Sequence, residues 1–251
     1  MGNFTAIGDV GRIGISGLIT FVIVYIGWRY TSLFGGITIL FILVLLISIL
    51  KEKNTKEGNN KEKTKSLGIN HLLGNRSFVL SSLSGTLDSF ASSSLFVFLP
   101  FLLLYRGANP ATLGSLTAVF FVGNFMGKTL LGRLVDKFGN TNVFIMSEIL
   151  MAIFIVILAN SPSFIIMIVA SVILGVFTKG TVPVIQTMVS DSVEKHGNFE
   201  QAFGLNSLVV GVATTLAPIC LGFLSDRFGI TAAFNISAIF ALVAAVPAFF
   251  I

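Results

Sequence analysis

Uninterrupted apolar runs recur along the whole chain, each near the roughly 20 residues that a helix rising 1.5 Å per residue needs to cross about 30 Å of hydrocarbon. Eight such runs can be marked: span A near Gly2–Ile26, B near Ser32–Leu50, C near Ser77–Leu104 and D near Pro110–Arg133, then E near Thr141–Ala159, F near Pro162–Val189, G near Phe203–Ser225 and H near Ile230–Ile251. Between B and C the pattern breaks. The stretch KEKNTKEGNNKEKTKSLGIN has no apolar periodicity and reads as a solvated, flexible linker. The other connections are short turns such as NSP at 160–162, which predict antiparallel neighbours for consecutive helices.

Composition sharpens this into a class. Apolar residues fill 54% of 251 positions and charged residues 11%, too little charge to clothe a water-soluble fold of this length. The expected fold is an all-α membrane protein of eight transmembrane helices: a pair of helices in residues 1–50, a basic linker over 51–76 and a six-helix bundle over 77–251. The net charge of +5 does not indicate nucleic acid, because the basic residues gather in one loop and beside span ends, as membrane orientation requires. The lipid bilayer is the expected partner and the cell membrane the expected location. The start MGNFTAIGDVGR lacks the basic opening and cleavage site of a signal peptide. Cys220 stands alone inside an apolar run, makes no intramolecular disulfide, and is expected to be a small buried side chain.

Lys51, Lys53, Lys56, Lys61, Lys63, Lys65 and Arg76 place the B to C linker in the cytoplasm. The D to E turn with Arg133 and Lys137, and the F to G loop with Lys195 and His196 among Asp191, Glu194 and Glu200, then also fall inside. The outer turns hold only Arg29, Arg106 and Arg227.

One motif is written twice. GRLVDKFG at 132–139 and GFLSDRFG at 222–229 share Gly-x-x-x-Asp-basic-Phe-Gly, 90 residues apart. Three crossings separate the copies, and an odd number of crossings inverts a repeat. Spans C, D, E and F, G, H are therefore expected to be two three-helix units of opposite topology, a construction found in secondary transporters. Spans A and B look like a further copy of G and H, since Gly2 to Gly27 matches the interval from Gly204 to Gly229.

GRLVDKFG resembles the loop motif of the major facilitator superfamily (MFS), Gly-x-x-x-Asp-[Arg/Lys]-x-Gly-[Arg/Lys]-[Arg/Lys], in the copy between the eighth and ninth of twelve helices. GWR after span A and LSDRFG after span G resemble the ends of that family's fifth and eleventh helices. The resemblance implies helices five to twelve: a complete C-terminal six-helix bundle preceded by the last two helices of an N-terminal one, with a missing N-terminal half as a partner. Asn140 and Thr141 stand where the family often has basic residues. The octets would form a gating motif through Gly132, Arg133, Asp136, Lys137 and Gly139, and through Gly222, Asp226, Arg227 and Gly229. Gly132 and Gly139 would allow a tight turn and close helix approach, while Asp136 would cap the next helix or bind Arg133 or Lys137, latching the cytoplasmic side in one conformation.

Ionisable residues at membrane depth are costly and default to functional candidates. Asp88 lies near the middle of span C, with Ser81, Ser84 and Ser92 on the same helical face. Lys179 lies in the middle third of span F, ahead of Pro183, where a helix can kink. The resemblance puts C and F at the central cavity, so the two are expected to face one another. Asp88 binds a proton or cation, or Lys179 meets an anionic substrate, or the two form a buried structural pair. Weaker candidates for substrate binding or coupling are Gln186, Asn206 and Asn124, the last inside Gly123-x-x-x-Gly127, a pattern that equally suits a close helix contact. Lys128 is near enough to the surface to snorkel, and Glu148 is expected to pair with Lys128 or Arg133. Asp9 and Arg12 would neutralise each other, and His71 and His196 read as solvated loop residues.

No phosphate-cradling glycine loop, nucleophile constellation or metal-ligand set is present, so no cofactor, metal or enzymatic activity is expected. The expected function is secondary active transport of small solutes by alternating access, coupled to a proton or ion. The alternative is a non-transporting remnant, or a subunit that completes a bundle with a separately encoded half. The Gly-x-x-x-Gly-Pro-like antiporter run is absent from GRIGISGLITF, which leans against drug export.

Overall fold

The computed structural model describes residues 26–54, 69–108, 110–194, 197 and 199–251, and all regular structure among them is helical. Span A, Asp9, Arg12, most of the linker, Lys195 and His196 lie outside the described residues. Two compact units are present. One contains α1 (Trp28–Asn54), an apolar helix whose large side chains, among them Trp28, Phe34, Ile39 and Phe41, are exposed. Apolar residues on every side suit a helix surrounded by lipid.

The other unit holds α2 (Ile69–Gly74), α3 (Arg76–Tyr105), α4 (Pro110–Phe138), α5 (Asn140–Asn160), α6 (Phe164–Val193), α7 (Phe199–Phe228) and α8 (Ile230–Ala248). Local chemistry sets these limits. Asn75 caps α3 by accepting from the Phe78 N–H at 3.2 Å, and Pro110 opens α4, where its missing N–H costs nothing. Pro100, Pro183 and Pro218 lie inside α3, α6 and α7, which continue through them. Hydroxyls in the apolar interior bond back to their own helix, as Ser147 does to the Val143 carbonyl and Ser171 to the Met167 carbonyl, both at 2.7 Å. Among the described residues six helices are long and apolar enough to cross a membrane: α1, α3, α5, α6, α7 and α8. α4 has the length, but its second half carries Asn124, Lys128, Arg133, Asp136 and Lys137. The chain is a multi-pass integral membrane protein.

Helix partners follow a two-fold rule. α4 packs on α6 as α7 packs on α3, and α5 packs on α6 as α8 packs on α3, while α3 meets α6 and α5 meets α8. Exchanging α3, α4, α5 for α6, α7, α8 leaves this set unchanged. One expectation is corrected here: α3 and α4, though consecutive, barely touch, because α4 crosses to lie against α6. A short turn fixes direction but not partnership.

The pairing of α4 with α6 is a backbone-to-backbone seam. A methyl group on Gly123 would collide with the Val172 carbonyl, one on Gly127 with the Val176 carbonyl, and one on Gly175 with the Phe120 carbonyl. Where lipid tails remove the hydrophobic drive between helices, such close approach is what holds them together. Gly132 has open space around it, so the expected close contact at that residue belongs instead to Gly123 and Gly127.

The 90-residue repeat extends to burial. Val143, Phe144, Ser147, Met151, Ile155 and Leu158 on α5 are buried, and so are Ala233, Phe234, Ser237, Ala241, Ala245 and Ala248 on α8. Gly139 and Gly229 both adopt positive φ, 81° and 85°, and each donates its N–H to a carbonyl four residues back at 2.9 Å. Gly27, ahead of α1, has φ 82°. The two octets sit at opposite ends of the bundle. Beside Gly139, Asn140 donates to Asp191 at 2.7 Å, and on the same end Asn75 donates to the Ser192 carbonyl at 2.7 Å. At the other end, Asn160 donates to Asn235 at 3.0 Å and Arg106 donates to the Ala159 carbonyl.

Candidate functional site

The interior of the bundle is layered. One apolar core joins Leu95, Leu99, Met151, Ile155, Met167 and Leu174; a second joins Phe78, Leu131, Phe144, Val184, Met188 and Val193. Between them, four helices each contribute polar side chains: Asp88 from α3, Asn124 and Lys128 from α4, Glu148 from α5, and Thr178, Lys179 and Thr181 from α6. At 1.5 Å per residue, Asp88 lies about 18 Å from the start of α3 and Thr181 about 18 Å from the end of α6, so they meet at one depth.

Asp88 is the centre of this belt. It is 1% exposed and accepts a hydrogen bond from the Thr181 hydroxyl at 3.2 Å. Lys179, half-buried two residues away on α6, acts on it as a nearby positive charge. The charge of Lys179 is thus felt at Asp88. Pro183 has no N–H to offer the Lys179 carbonyl four residues back.

Glu148 belongs to the same belt. It is 0% exposed, and its carboxyl interacts with Asp88, on a helix from the same three-helix unit. Both of its oxygens are enclosed and make no hydrogen bond of normal geometry. α5 turns this face inward because Val143, Phe144, Ser147, Met151 and Ile155 share it and are all buried. Lys128 is likewise inside, 5% exposed on α4, and does not reach out to the surface. The neighbouring residue Gly127 presses α4 onto α6 and carries Lys128 into the bundle.

The remaining candidates are spread out. Asn124, buried, accepts from the Thr178 hydroxyl at 3.5 Å, a long contact, while Thr178 also donates to the Gly175 carbonyl at 3.2 Å. Asn206, 7% exposed on α7, has a side-chain oxygen without a donor, and Gln186 is half-buried five residues beyond Thr181 on α6. Neither is among the groups that act on Asp88. Ser81 and Ser84 are buried with unpartnered hydroxyls. Cys220, expected inside, is exposed, because α7 buries only a narrow face of Ala202, Asn206, Ala213, Ala217 and Leu221.

In the octets Arg133, Asp136 and Lys137 are exposed, as are Asp226 and Arg227, and Gly222 makes only an ordinary contact with Phe98. Lys137 lies over the Phe138 ring at 5.2 Å and Arg227 over Phe223 at 5.5 Å. No side chain caps α5 or α8, so Asp136 does not fill the expected capping role. The cross-helix contact at that turn is made by Asn140, the residue that departs from the basic pattern, through its bond to Asp191.

Two inverted three-helix units, stitched by a glycine seam and enclosing charge at membrane depth, define a multi-pass membrane protein of the carrier architecture. Residues 81–251 match the family model of the Major Facilitator Superfamily, and the chain belongs to that family. It is also similar to an uncharacterised MFS-type transporter of Methanocaldococcus jannaschii, 23% identical over 207 residues, which cover 80% of this chain and 53% of the relative. The chain thus spans about half the length of the curated relative it matches.

Proposed function

We propose that the chain works as, or within, a secondary active carrier of small solutes that operates by alternating access, with Asp88 coupling transport to a proton or ion. The observation that carries this reading is the hydrogen bond from Thr181 to Asp88, which joins the first helix of one unit to the first helix of the other inside the membrane, with the positive charge of Lys179 nearby. An ionised Asp88 draws α3 and α6 together through Lys179; neutralising it by a bound proton or cation weakens that attraction and lets the units separate. Lys179 is then released to meet an anionic group on a solute. In this reading the end bearing Gly139 and Asn140 faces the cytoplasm, where the basic linker places it.

A second reading is that the chain completes its bundle with a separately encoded half, since the match covers 53% of the relative. Proteoliposomes containing the chain, assayed for accumulation of labelled solutes with and without a pH gradient, test the carrier reading. Gradient-driven uptake that Asp88→Asn abolishes supports it; undiminished uptake in Asp88→Asn removes the coupling role. Uptake that appears only on co-expression of a second polypeptide supports the split form.

A further inference from the structure

Hydroxyls in the apolar interior of this bundle bond back to their own helix, as those of Ser147, Ser171 and Ser237 do at 2.7, 2.7 and 3.2 Å. Ser81 and Ser84 do not. Both are 0% exposed on α3, and among the described residues neither hydroxyl has a hydrogen-bond partner. A buried hydroxyl without a partner costs free energy, so an occupant that can bond to it is favoured. The protein around this part of α3 is mostly apolar: α6 buries Val184, Ile185 and Met188 there, and α8 buries Ala241, Ala244 and Ala245. The buried polar residue that a packed helix brings to the same depth is Asn206 on α7, 7% exposed, whose side-chain oxygen likewise has no donor. At 1.5 Å per residue from the end bearing Asn75, Asn206 lies about 10 Å along α7, between Ser81 at about 8 Å and Ser84 at about 12 Å along α3. Ser81, Ser84 and Asp88 follow one another at intervals of three and four residues on a single face of α3, whereas Ser82, Ser93 and Ser94, also without partners, lie on other faces. Side chains at those intervals have Cβ atoms about 5–6 Å apart, too far for a direct bond between short side chains but the span of two O–H···O bonds of about 2.8 Å that meet at one water.

We propose that Ser81, Ser84 and Asn206 hold ordered water, one molecule in each gap of the ladder Ser81, Ser84, Asp88, and that this short file relays the coupling proton between Asp88 and the cytoplasmic end. Water suits the site because it both donates and accepts: a serine hydroxyl can use either, while the Asn206 oxygen only accepts. In the relay each water or serine oxygen takes up a proton on one side and releases another on the far side. Every oxygen of the file keeps its count of hydrogens, and one proton is gained by the Asp88 carboxylate. Phe78 and Leu72, each 1% exposed, pack at the cytoplasmic end of α3 and keep the file from exchanging freely with bulk water. The charged side chains of the belt, Asp88, Glu148, Lys128 and Lys179, together set how firmly a proton is held at Asp88, whereas the water sites stand on the uncharged residues between the belt and the cytoplasmic end. The relay rests on the coupling role proposed for Asp88; the water sites do not.

Radiolytic hydroxyl-radical footprinting of the lipid-reconstituted chain reads enclosed water directly, because radicals formed from a trapped water oxidise the side chains beside it. Phe78 and Met188, buried in the inner core, are expected to be oxidised, and Met167, buried in the outer core, to be spared. Ser81→Ala, Ser84→Ala and Asn206→Leu should each lose most of the label at Phe78 and Met188. Ser84→Ala should also lower the melting temperature, since it removes a hydroxyl bonded to water; removing a bare one would raise it. Phe78 and Met188 both spared in the wild type, or a melting temperature raised by Ser84→Ala, overturns the water sites. The relay is read in proteoliposomes, where Ser84→Ala should slow uptake driven by a pH gradient severalfold more than it slows solute exchange without one. Equal slowing of both, or of neither, overturns the relay. A chain oxidised at Met188 that drives no uptake would sink the carrier reading, and the relay with it, and leave the water sites standing.

Discussion

Gly139 and Gly229 hold the same backbone conformation, φ 81° with ψ 158° and φ 85° with ψ 156°, at opposite ends of one bundle. Each ends a helix and caps the next, in a backbone conformation open essentially to glycine alone, where a Cβ costs on the order of 1–3 kcal/mol. Gly139→Ala and Gly229→Ala should therefore lower stability by similar amounts, read as matching drops in melting temperature in detergent. Unequal losses would mean that the two turns are equivalent in shape only.

The opposite placement of the turns makes a topological prediction. In a Cys220→Ser background, Lys137→Cys and Arg227→Cys should react with an impermeant maleimide from different sides of the membrane, Lys137→Cys from the cytoplasm. Both starting side chains are exposed, so reagent access is assured wherever water reaches.

Substitution along the α4 and α6 seam should be far more damaging than a like change elsewhere on α4. Gly127→Val forces the two backbones apart and should cost at least the roughly 1–3 kcal/mol of an overpacked core. Gly132→Ala meets nothing within 4 Å and should gain up to about 1 kcal/mol from helix propensity. Thermal denaturation of the pair in the same detergent checks both signs.

Removing Lys179 alone strands Asp88 without its counter-charge. Lys179→Ala should cost toward the lower part of the roughly 3–5 kcal/mol seen when a buried pair is broken, because Lys179 is only half-buried. Adding Asp88→Asn should recover much of the loss. A double-mutant cycle on stability measures the coupling, and additive losses would show that the two side chains do not interact.

At the Gly139 end, Asn140→Ala removes the bond to Asp191 and should destabilise by about 0.5–1.5 kcal/mol. If that bond latches the end shut, the same change should raise the labelling rate of cysteines placed on the inner faces of α5 and α6. Unchanged labelling would leave the bond a purely structural one.

The sequence was informative where charge interrupts apolar runs. Asp88 and Lys179 stood out because nothing near them in the chain is charged, and the octets located two turns and their inversion. Glu148 was legible as a residue but not as a neighbour. A membrane helix is apolar on both its lipid and its bundle faces, so no periodicity tells which way α5 turns. The same uniformity hid the exposure of Cys220 and the enclosure of Lys128. The Asn140 contact was missed because a residue outside a known pattern reads as a loss, whereas an amide at that position reaches Asp191 without bringing a charge.

The glycine seam has a mechanical corollary. With carbonyl oxygens of one helix seated where side chains of the other would be, α4 and α6 have no intervening layer to shear, and neither can slip along the other without backbone atoms colliding. Whatever motion the bundle undergoes, these two helices must travel as a single strut, and any flexing has to be taken up where α4 and α6 join the rest of the chain.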